Sequence, residues 1–411
     1  MYVRAVCACA LVMAFTALVE SADAQAREIT AEQAIRRALE QHPDIRVAQA
    51  EVEVAQGQLA TARALSYNPE VTAALGSASN PDTSLTTYEI ELSQRLELGG
   101  KRGARTTAAR RRIEAAEARL ARTRALVGAR ALRAFALASL GRARVASAQE
   151  AEEVANQLRG AATERLALGA GTQLEVNIAA AGVGRDRRTR LEAERAYASA
   201  LLELAAAVGL PATQTVSPSG EPPAVPVVEK SEEQLVQLAV SRRQDLVAAR
   251  AERAAGEAEL RFARALAWPD PALGVSAGRD DFESVRFTIS LPLPLWNRGQ
   301  GERTTARAAL ARAELAEFTV RRQVELEVRD AYQAYQRARE AEAGFDRETV
   351  TNLTENLTLA GESFRAGKIG LLVFSAVRRD LVEARLAYLD TLADLAERRY
   401  ALEIAVGGTV E

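Results

Sequence analysis

The feature that most constrains the fold of this chain is a tandem duplication within its sequence. The segment TAEQAIRRALEQHPDIRVAQAE at residues 30–51 matches SEEQLVQLAVSRRQDLVAARAE at residues 231–252, so that Asp44 aligns with Asp245. The match continues to the end of both copies with few insertions. A sustained internal match marks a duplicated structural unit, so the fold must be built from two similar halves.

The duplication divides the chain into four predicted segments. Residues 1–26 precede the first copy, residues 27–210 form repeat 1, and residues 231–411 form repeat 2. Between the copies, residues 211–230 hold five of the twelve prolines and predict an extended, Pro-rich linker.

The first segment has the pattern of a secretory signal peptide. Arg4 precedes a short apolar stretch, and small residues suited to cleavage follow around Ala24 and Ala26. The alternative, a transmembrane anchor, is less well supported because the apolar stretch is short. Both cysteines of the chain lie in residues 1–26. We therefore expect a mature chain without a disulfide, thiol chemistry or a lipid-carrying cysteine.

Each copy is predicted to begin with a short, capped helix. Thr30 with Gln33, and Ser231 with Gln234, have the spacing of a capping box. In the first copy the helix is expected to stop at His42, because a proline follows. We interpret this lone histidine as structural.

A very long helix is predicted in each copy, at about residues 105–168 and 303–366. No proline interrupts the first stretch, and apolar residues recur in it every seven positions: Ile113, Leu120, Val127 and Ala134. A sustained seven-residue repeat is typical of a coiled-coil seam. The predicted fold is therefore mainly α-helical, with tandem-duplicated long coiled-coil helices.

A small β part interrupts the helices in both copies. Strict apolar and polar alternation predicts strands at about residues 85–98 and 284–295, with weaker partners at about 70–79 and 271–279. About ten alternating residues suit a tilted strand that crosses a bilayer. Periodicity alone is equally compatible with two amphipathic hairpins packed on the helices of a soluble protein.

Four strands per chain cannot close a barrel, and an open sheet edge is not tolerated in lipid. Two chains would supply eight strands, whose interior side chains nearly fill. Three chains would supply 12 strands around a polar, water-filled lumen. The membrane interpretation therefore leads to a trimer.

Turns between strand and helix are predicted where prolines or glycines follow the alternating runs. Proline cannot donate to a β-ladder and ends it, and glycine permits a sharp change of direction. The residues assigned to these turns are Gly99, Gly100, Pro292, Pro294, Asn297 and Gly299.

Taken together, these motifs resemble the TolC-like outer-membrane efflux channels. The resemblance rests on the duplication, the paired strands, the phrases ELSQRLELGGKRGAR and SLPLPLWNRGQGE, and two glycine loops, LALGAGTQLEV at 166–176 and FRAGKIGLLVF at 364–374. The strand-to-helix phrases are most similar to the cobalt-zinc-cadmium resistance branch. The resemblance implies a homotrimer in the outer membrane of a Gram-negative bacterium, with a 12-stranded β-barrel that continues into an α-helical periplasmic tunnel. It also implies a periplasmic adaptor (membrane fusion protein) and an inner-membrane pump, of the RND type, as partners.

By the same resemblance, the glycine loops would form the periplasmic tip where the adaptor docks: Gly169, Gly171, Gly367 and Gly370. Many relatives carry acidic residues at the tunnel constriction just after the second loop. Here Val373 and Ala376 occupy those positions, and Glu175 lies at the equivalent place in copy one. An acidic ring in this protein would therefore be built differently.

Other functional classes find little support in the sequence. The formal charge of −2 provides no basic field for nucleic acid. With one histidine and no cysteine after residue 26, a metal site is not expected, and neither a catalytic set nor a cofactor motif is recognisable. The chain is therefore not expected to be an enzyme. The leading hypothesis is a passive duct of a tripartite efflux system for a heavy-metal or multidrug pump; the alternative is a soluble periplasmic coiled-coil scaffold or adaptor. The exported substrate, metal cation or organic molecule, stays open.

Overall fold

The computed structural model describes residues 27–80, 83–211, 214, 216–221, 225–279, 282–345, 347–408 and 410. The predicted signal peptide, residues 1–26, lies outside the described residues. So do residues 81–82 and 280–281, which lie between the predicted strands of each copy.

Helices dominate the described residues. In chain order they are α1 (Ala31–Gln41), α2 (Pro43–Arg63), α3 (Lys101–Ala167), α4 (Gln173–Val208), α5 (Glu232–Arg242), α6 (Gln244–Ala265), α7 (Gln300–Ala343), α8 (Arg347–Arg365) and α9 (Leu371–Val406).

The strands form two sheets. β1 (Arg27–Ile29) pairs in parallel with β4 (Val216–Pro218). The larger sheet is antiparallel with the order β2-β3-β5-β6, and its strands are β2 (Glu70–Asn80), β3 (Thr83–Arg95), β5 (Ala272–Arg279) and β6 (Glu283–Ser290). One hairpin comes from each copy, and the ladder between β3 and β5 joins them.

The second hairpin ends earlier than the sequence predicts. The alternating pattern predicts a strand to about residue 295, but β6 ends at Ser290. Pro292 and Pro294 follow, and neither has a backbone N–H to donate to a ladder. In copy one the difference is smaller, because β3 ends at Arg95 and the N–H of Leu96 makes one more bond, 2.8 Å long, to the Pro271 carbonyl.

The long helix of copy two is also shorter than predicted. A single helix was expected over about 303–366, as in copy one, where α3 is continuous. Instead α7 ends at Ala343 and α8 begins at Arg347. Gly344, a weak helix former, follows the end of α7 and favours a stop there. The sequence analysis missed this stop because the helical pattern continues on both sides of the glycine.

The helix starts follow the capping signals. The Oγ1 of Thr30 accepts the N–H of Gln33 at 3.3 Å, and Ser231 with Gln234 forms the reciprocal pair, which confirms both capping boxes. His42 caps α2, because its Nδ1 accepts the N–H of Asp44 at 3.2 Å. The structural interpretation of this histidine is confirmed.

The described chain divides into two compact units, each of which contains parts of both copies. The first unit comprises residues up to 38, 131–223 and 346–393. Its main core gathers buried side chains from α3, α4 and the small sheet: Ile29, Phe135, Leu204, Val208 and Val216. The end of the first copy and part of the Pro-rich segment are therefore packed together.

The second unit comprises residues 39–130, 224–345 and 394–411 and includes the large sheet. Its core contains Leu235, Val324, Tyr335 and Leu402, all almost fully buried. Arg243, the counterpart of His42 in copy two, is 3% exposed. It donates to Glu327 at 2.5 Å, to Asp245 at 3.1 Å and to the Ala405 carbonyl at 2.9 Å. At the position where copy one has a helix-capping histidine, copy two therefore has a buried arginine that binds two carboxylates and a backbone carbonyl.

Candidate functional sites: a two-faced sheet and two helix-hairpin loops

In its middle rows, the register of the large sheet separates apolar from polar residues over all four strands. Directly paired residues share a face, so each cross-strand row can be followed from β2 to β6. Two neighbouring rows are apolar: Val71, Leu92, Val275 and Phe287, then Ala73, Ile90, Ala277 and Val285. The alternate rows are mainly polar or small, for example Thr72, Glu91, Ser276 and Arg286. The sheet therefore has one apolar face and one polar face.

The apolar face is uncovered within the second unit. Leu75 is 84% exposed, Phe287 83% and Ile289 76%. Large apolar side chains at this exposure on one face of a sheet form a surface that a water-soluble monomer rarely carries. This face requires an apolar environment.

Glycines on the polar face of β5 make room for two glutamates of β3. A side chain at Gly274 would place its first carbon 2.6 Å from a carboxylate oxygen of Glu91. At Gly278 the same carbon would lie 2.3 Å from the Tyr88 carbonyl oxygen, which is backbone and cannot move aside. The ladder between the copies therefore depends on both glycines.

The two edges of the sheet are β2 and β6, and neither has a second β-neighbour among the described residues. An unpaired edge presents a row of free N–H and C=O groups. The two-faced sheet is therefore incomplete as a single chain.

The predicted turn residues lie where the strands lead into the long helices. Gly99, Gly100 and Gly299 have φ of 72°, 73° and 70°, in the left-handed region that favours glycine. Asn297 supports the second turn, because its Oδ1 accepts the N–H of Gly299 at 3.0 Å.

A buried polar cluster at the first turn escaped the sequence analysis. The carboxylate of Asp270 accepts bonds from the Lys101 ammonium at 2.8 Å, the Leu98 N–H at 3.0 Å and the Tyr67 hydroxyl at 3.2 Å. Lys101 is 4% exposed and also donates to the Trp268 carbonyl. The one available signal was compositional, since lysine is rare in this arginine-rich chain. The cluster holds copy two against the start of α3.

The first glycine loop connects α3 to α4 in the first unit. Gly169 has φ of 71°, and the N–H of Ala170 reaches back to the Arg165 carbonyl at 2.8 Å, which closes the helix end. The next helix begins with a capping box: Glu175 N–H donates to Thr172, and the Glu175 carboxylate accepts the Thr172 N–H at 3.2 Å. Glu175, a candidate for the constriction, is therefore also a helix cap.

The same loop is tightly packed at Gly171. A side chain there would approach the Glu175 carboxylate at 3.0 Å and the Arg165 side chain at 3.1 Å. The loop is thus compact, and it presents an apolar side chain outward, since Leu168 is 83% exposed.

The second glycine loop, between α8 and α9, has a similar helix end but a different start. Gly367 has φ of 70°, and the N–H of Lys368 donates to the Ser363 carbonyl at 2.9 Å. Gly370 stands where copy one has the capping threonine, and its carbonyl accepts the N–H of Phe374. Val373 is 53% exposed and Ala376 is also exposed.

A buried ion pair near the loops was also missed. Arg378 of α9 is 5% exposed and donates to the Asp186 carboxylate of α4 at 2.6 Å and to the Ala151 carbonyl of α3 at 3.1 Å. It thus ties a helix of copy two to both helices of copy one. Its arginine stood among many others in the sequence and carried no distinguishing signal.

None of the helices within the described residues is both long and apolar enough to cross a membrane. In the same part of the chain, no group of three or more His, Cys, Asp or Glu side chains is arranged to hold a metal ion.

The chain matches a known protein family over both copies. The family described as "Outer membrane efflux protein" matches residues 34–210 and 235–408, which covers both copies and leaves out the Pro-rich segment between them. The chain belongs to the outer membrane efflux protein family. It is an outer-membrane channel component of a tripartite efflux system and not an enzyme, which confirms the leading hypothesis over the soluble scaffold.

Individual relatives agree with this assignment. The cobalt-zinc-cadmium resistance protein CzcC of Cupriavidus metallidurans is 24% identical over 382 residues, which cover 92% of this chain and 90% of the relative. The structure of CusC superposes with a TM-score of 0.73 at 20% identity, covering 95% of this chain and 96% of CusC. The open state of the MtrE channel of Neisseria gonorrhoeae also gives 0.73, at 20% identity over 93% and 89% of the two chains. The fold is that of the efflux channels.

Family membership also bears on location and partners. Channels of this family lie in the outer membrane of Gram-negative bacteria, form trimers, and work with an adaptor and an inner-membrane pump. The mainly helical architecture with a small sheet is confirmed.

Proposed function

We propose that three copies of this chain close a 12-stranded barrel in the outer membrane, that the helices continue it as a periplasmic tunnel, and that this duct exports heavy-metal cations. The single observation that carries the barrel is the two-faced sheet with free edges at β2 and β6. Joining β6 of one copy to β2 of the next satisfies both edges and turns every apolar row toward lipid.

Strand length supports the same arrangement. A strand of eight residues, such as β5, rises about 26 Å, and tilting it by about 40° leaves a height of roughly 20 Å. A strand of 11 residues, such as β2, reaches roughly 28 Å in the same way. These heights bracket the apolar band of about 25 Å in outer-membrane barrels.

The polar face favours three copies over two. An eight-stranded barrel has an interior that side chains nearly fill. The polar face carries Glu89, Glu91 and Arg286, and charged groups enclosed without water are costly. Twelve strands leave a hydrated lumen in which these side chains stay solvated.

The two glycine loops are our proposed docking site for the adaptor, through Gly169, Gly171, Gly367 and Gly370. Support comes from the exposed apolar side chains beside them, Leu168 and Leu372, at 83% and 53% exposure. A tight glycine turn allows a partner helix to approach the backbone closely. We place the tunnel constriction next to these loops, at Glu175, Val373 and Ala376.

The proposed cargo follows from the relative CzcC, whose name states cobalt, zinc and cadmium resistance. We propose that this channel likewise serves metal cations, and that its pump is of the RND type. A strain that lacks the gene should become more sensitive to these cations, and an unchanged metal tolerance with increased sensitivity to organic toxins would redirect the cargo assignment.

The barrel is tested by a matched pair of neighbouring residues in β6. Phe287 lies on the apolar face and Thr288 on the polar face. Lysine near the bilayer midplane costs about 2–4 kcal/mol per site on the lipid face of a barrel. We therefore expect Phe287→Lys to reduce the detergent-extracted trimer in outer-membrane fractions and Thr288→Lys to leave it near the wild-type amount. Equal effects of the two variants, or a wild-type chain that is monomeric in detergent, would contradict the proposed barrel.

A further inference from the structure

Four helices of the second unit share a groove on one side. The groove is lined by residues of α2, of the beginning of α3, of α6 and of α7, which are the helices that enter or leave the large sheet. Each helix contributes one of these four alanines to the lining: Ala62, Ala109, Ala263 and Ala306. The groove therefore marks a corresponding side on all four helices.

The groove side of the helices continues the polar face of the sheet. Glu97 follows the end of β3 and has the same strand parity as Glu91 of the polar face. Its carboxylate binds Arg105, which lines the groove, at 2.6 Å. Leu96 and Leu98, which have the other parity, are 40% and 45% exposed and continue the apolar face. The side of the helices opposite the groove therefore follows on from the apolar face.

An arginine comes directly after each of the four alanines: Arg63, Arg110, Arg264 and Arg307. With 3.6 residues per helical turn, each arginine stands roughly 150° around its helix from the centre of the groove-lining side. All four arginines are exposed. The four helices thus carry the same cation on the side that follows on from the apolar face.

The charges of these arginines are not compensated within the chain. None of the four side chains makes an ion pair or a hydrogen bond with another residue in the part of the chain that the structure describes. No acidic residue lies within four positions of Arg63, Arg264 or Arg307 in the sequence. Glu114, four positions after Arg110, is bound to Arg111 at 2.7 Å. An exposed set of uncompensated cations attracts an anionic partner.

The tilt of the side chains brings the four arginines toward one level. In an α-helix the Cα–Cβ bond tilts toward the helix N-terminus. Arg110 and Arg307 therefore lean toward the sheet, because α3 and α7 leave it, whereas the arginines of α2 and α6 lean away from it. The Thr106 hydroxyl donates to the Ala62 carbonyl at 3.3 Å, so Arg110, one turn beyond Thr106, starts about 6 Å farther from the sheet than this contact. An arginine side chain spans a comparable length.

The apolar face ends close to these arginines. After β6, Leu291, Leu293 and Leu295 continue the apolar parity at 51%, 68% and 58% exposure, and Trp296 follows at 88%. The helix α7 begins at Gln300, four residues after this tryptophan. Tryptophan is enriched at the boundary between the hydrocarbon and the headgroups of a bilayer. The arginines therefore lie just beyond the apolar boundary, where headgroups are expected.

We propose that Arg63, Arg110, Arg264 and Arg307 form an arginine belt that binds the phosphate groups of anionic phospholipids in the periplasmic leaflet of the outer membrane. Arginine suits this ligand because its guanidinium can donate two parallel hydrogen bonds to a phosphate, while its aliphatic stem lies against apolar surface. The inference rests on the proposed barrel and deepens it, because it assigns the depth of the barrel in the bilayer and the class of lipid at its periplasmic rim.

The distribution of the arginine belt favours lipid over a protein partner. One arginine stands on each of the four helices, in the sheet order β2-β3-β5-β6 of the strands that these helices adjoin. In a closed barrel such positions follow the whole circumference, as the surrounding headgroups do, and do not concentrate on one patch. The anionic headgroup is favoured over a zwitterionic one, because the latter carries its own ammonium group close to the phosphate.

Lipid retention provides the first test. Purified trimer is incubated with phosphatidylglycerol or with phosphatidylcholine, and retained lipids are counted by native mass spectrometry. The wild type should prefer phosphatidylglycerol. A variant with glutamine at all four belt positions should retain at least roughly fivefold less of it, the effect of about one arginine near an anionic surface. The belt variant carries Arg63→Gln, Arg110→Gln, Arg264→Gln and Arg307→Gln.

The control for this test removes the same number of charges elsewhere. It carries glutamine at four exposed arginines of the first unit: Arg159, Arg185, Arg187 and Arg195. This control should retain phosphatidylglycerol as the wild type does. Equal retention by the belt variant and the control would overturn the inference. Unchanged retention together with lost efflux in the belt variant would indicate a protein partner and would also overturn it.

A second test does not depend on neutralised variants. Lysine at the four belt positions should keep most of the preference for phosphatidylglycerol, because the charge stays. The preference of the wild type should fall as the sodium chloride concentration is raised, since salt screens exposed charges. A trimeric wild type without any preference would overturn the arginine belt and leave the barrel standing, whereas a wild type that is monomeric in detergent would refute the barrel itself.

Discussion

Breaking the buried ion pair between Arg378 and Asp186 is expected to destabilise the first unit near the glycine loops. The side chains are only 6% and 12% exposed. Asp186→Ala would leave a buried guanidinium with the Ala151 carbonyl as its remaining partner, because its Nε already has no hydrogen-bond partner. Removing one member of a buried pair costs about 3–5 kcal/mol.

A second ion pair between α3 and α9 provides the control. Arg385 binds Glu150 at 2.8 Å, but these side chains are 41% and 54% exposed. Such pairs contribute about 0–1 kcal/mol, so Glu150→Gln should have little effect. The comparison separates burial from the mere presence of a charge pair.

Hydrogen exchange of the purified channel measures the difference. If the amides of α4 and α9 around the pair exchange through local opening, Asp186→Ala should lower their protection by roughly two to four orders of magnitude, since each 1.4 kcal/mol is a factor of ten. Replacing both partners, with Arg378→Met and Asp186→Leu, should restore most of the protection because no buried charge is left. An Asp186→Ala variant as well protected as Glu150→Gln would refute the argument.

Three further outcomes follow from single residues. Burial opposes ionisation of Asp245, but the hydrogen bonds and charge of Arg243 outweigh it and lower the pKa of Asp245. The carboxylate therefore stabilises the fold above its unfolded pKa, and this contribution is lost as the pH falls through the folded pKa. Asp245→Asn should accordingly weaken the fall of the melting temperature with decreasing pH below about pH 4. Gly367→Ile forces a β-branched residue to φ of 70° and should abolish efflux with the trimer intact; full resistance in a cell-growth assay would contradict the docking role. Gly278→Val should prevent barrel assembly, because the valine side chain would collide with the Tyr88 carbonyl between β3 and β5. The measurement is loss of the heat-modifiable band on gels; a normal band would show that the β3–β5 ladder accommodates the side chain.

Local signals in the sequence were sufficient for the elements and turns of the candidate sites. Alternation located the hairpins, and the left-handed glycines at 99, 100 and 299 stand where the glycine turns were expected. Capping boxes predicted two helix starts, because a cap is a contact between residues three positions apart. The roles proposed for the glycine loops and for the constriction stay predictions, since they depend on contacts with other chains.

Contacts between distant segments were beyond sequence reasoning. Nothing in the neighbourhood of Asp270 indicated that it would bind Lys101, and nothing around Arg378 singled it out among the many arginines. Glu175 could be proposed for the constriction, but its capping bond to Thr172 emerged only from the loop geometry. The early stop of α7 was hidden because a helical period continues on both sides of Gly344.

By itself the sequence determined that the chain is a duplicated, mainly helical protein with four alternating strands, since periodicity and turn chemistry are local properties of neighbouring residues. Only the tertiary structure decided that the apolar rows of two hairpins, almost two hundred residues apart, align on one face, and that Val47 is exposed where Ala248 is buried. The physical reason is that register and burial depend on which surfaces meet in space. Equivalent positions in the two copies of a repeated sequence can have different neighbours in the folded chain.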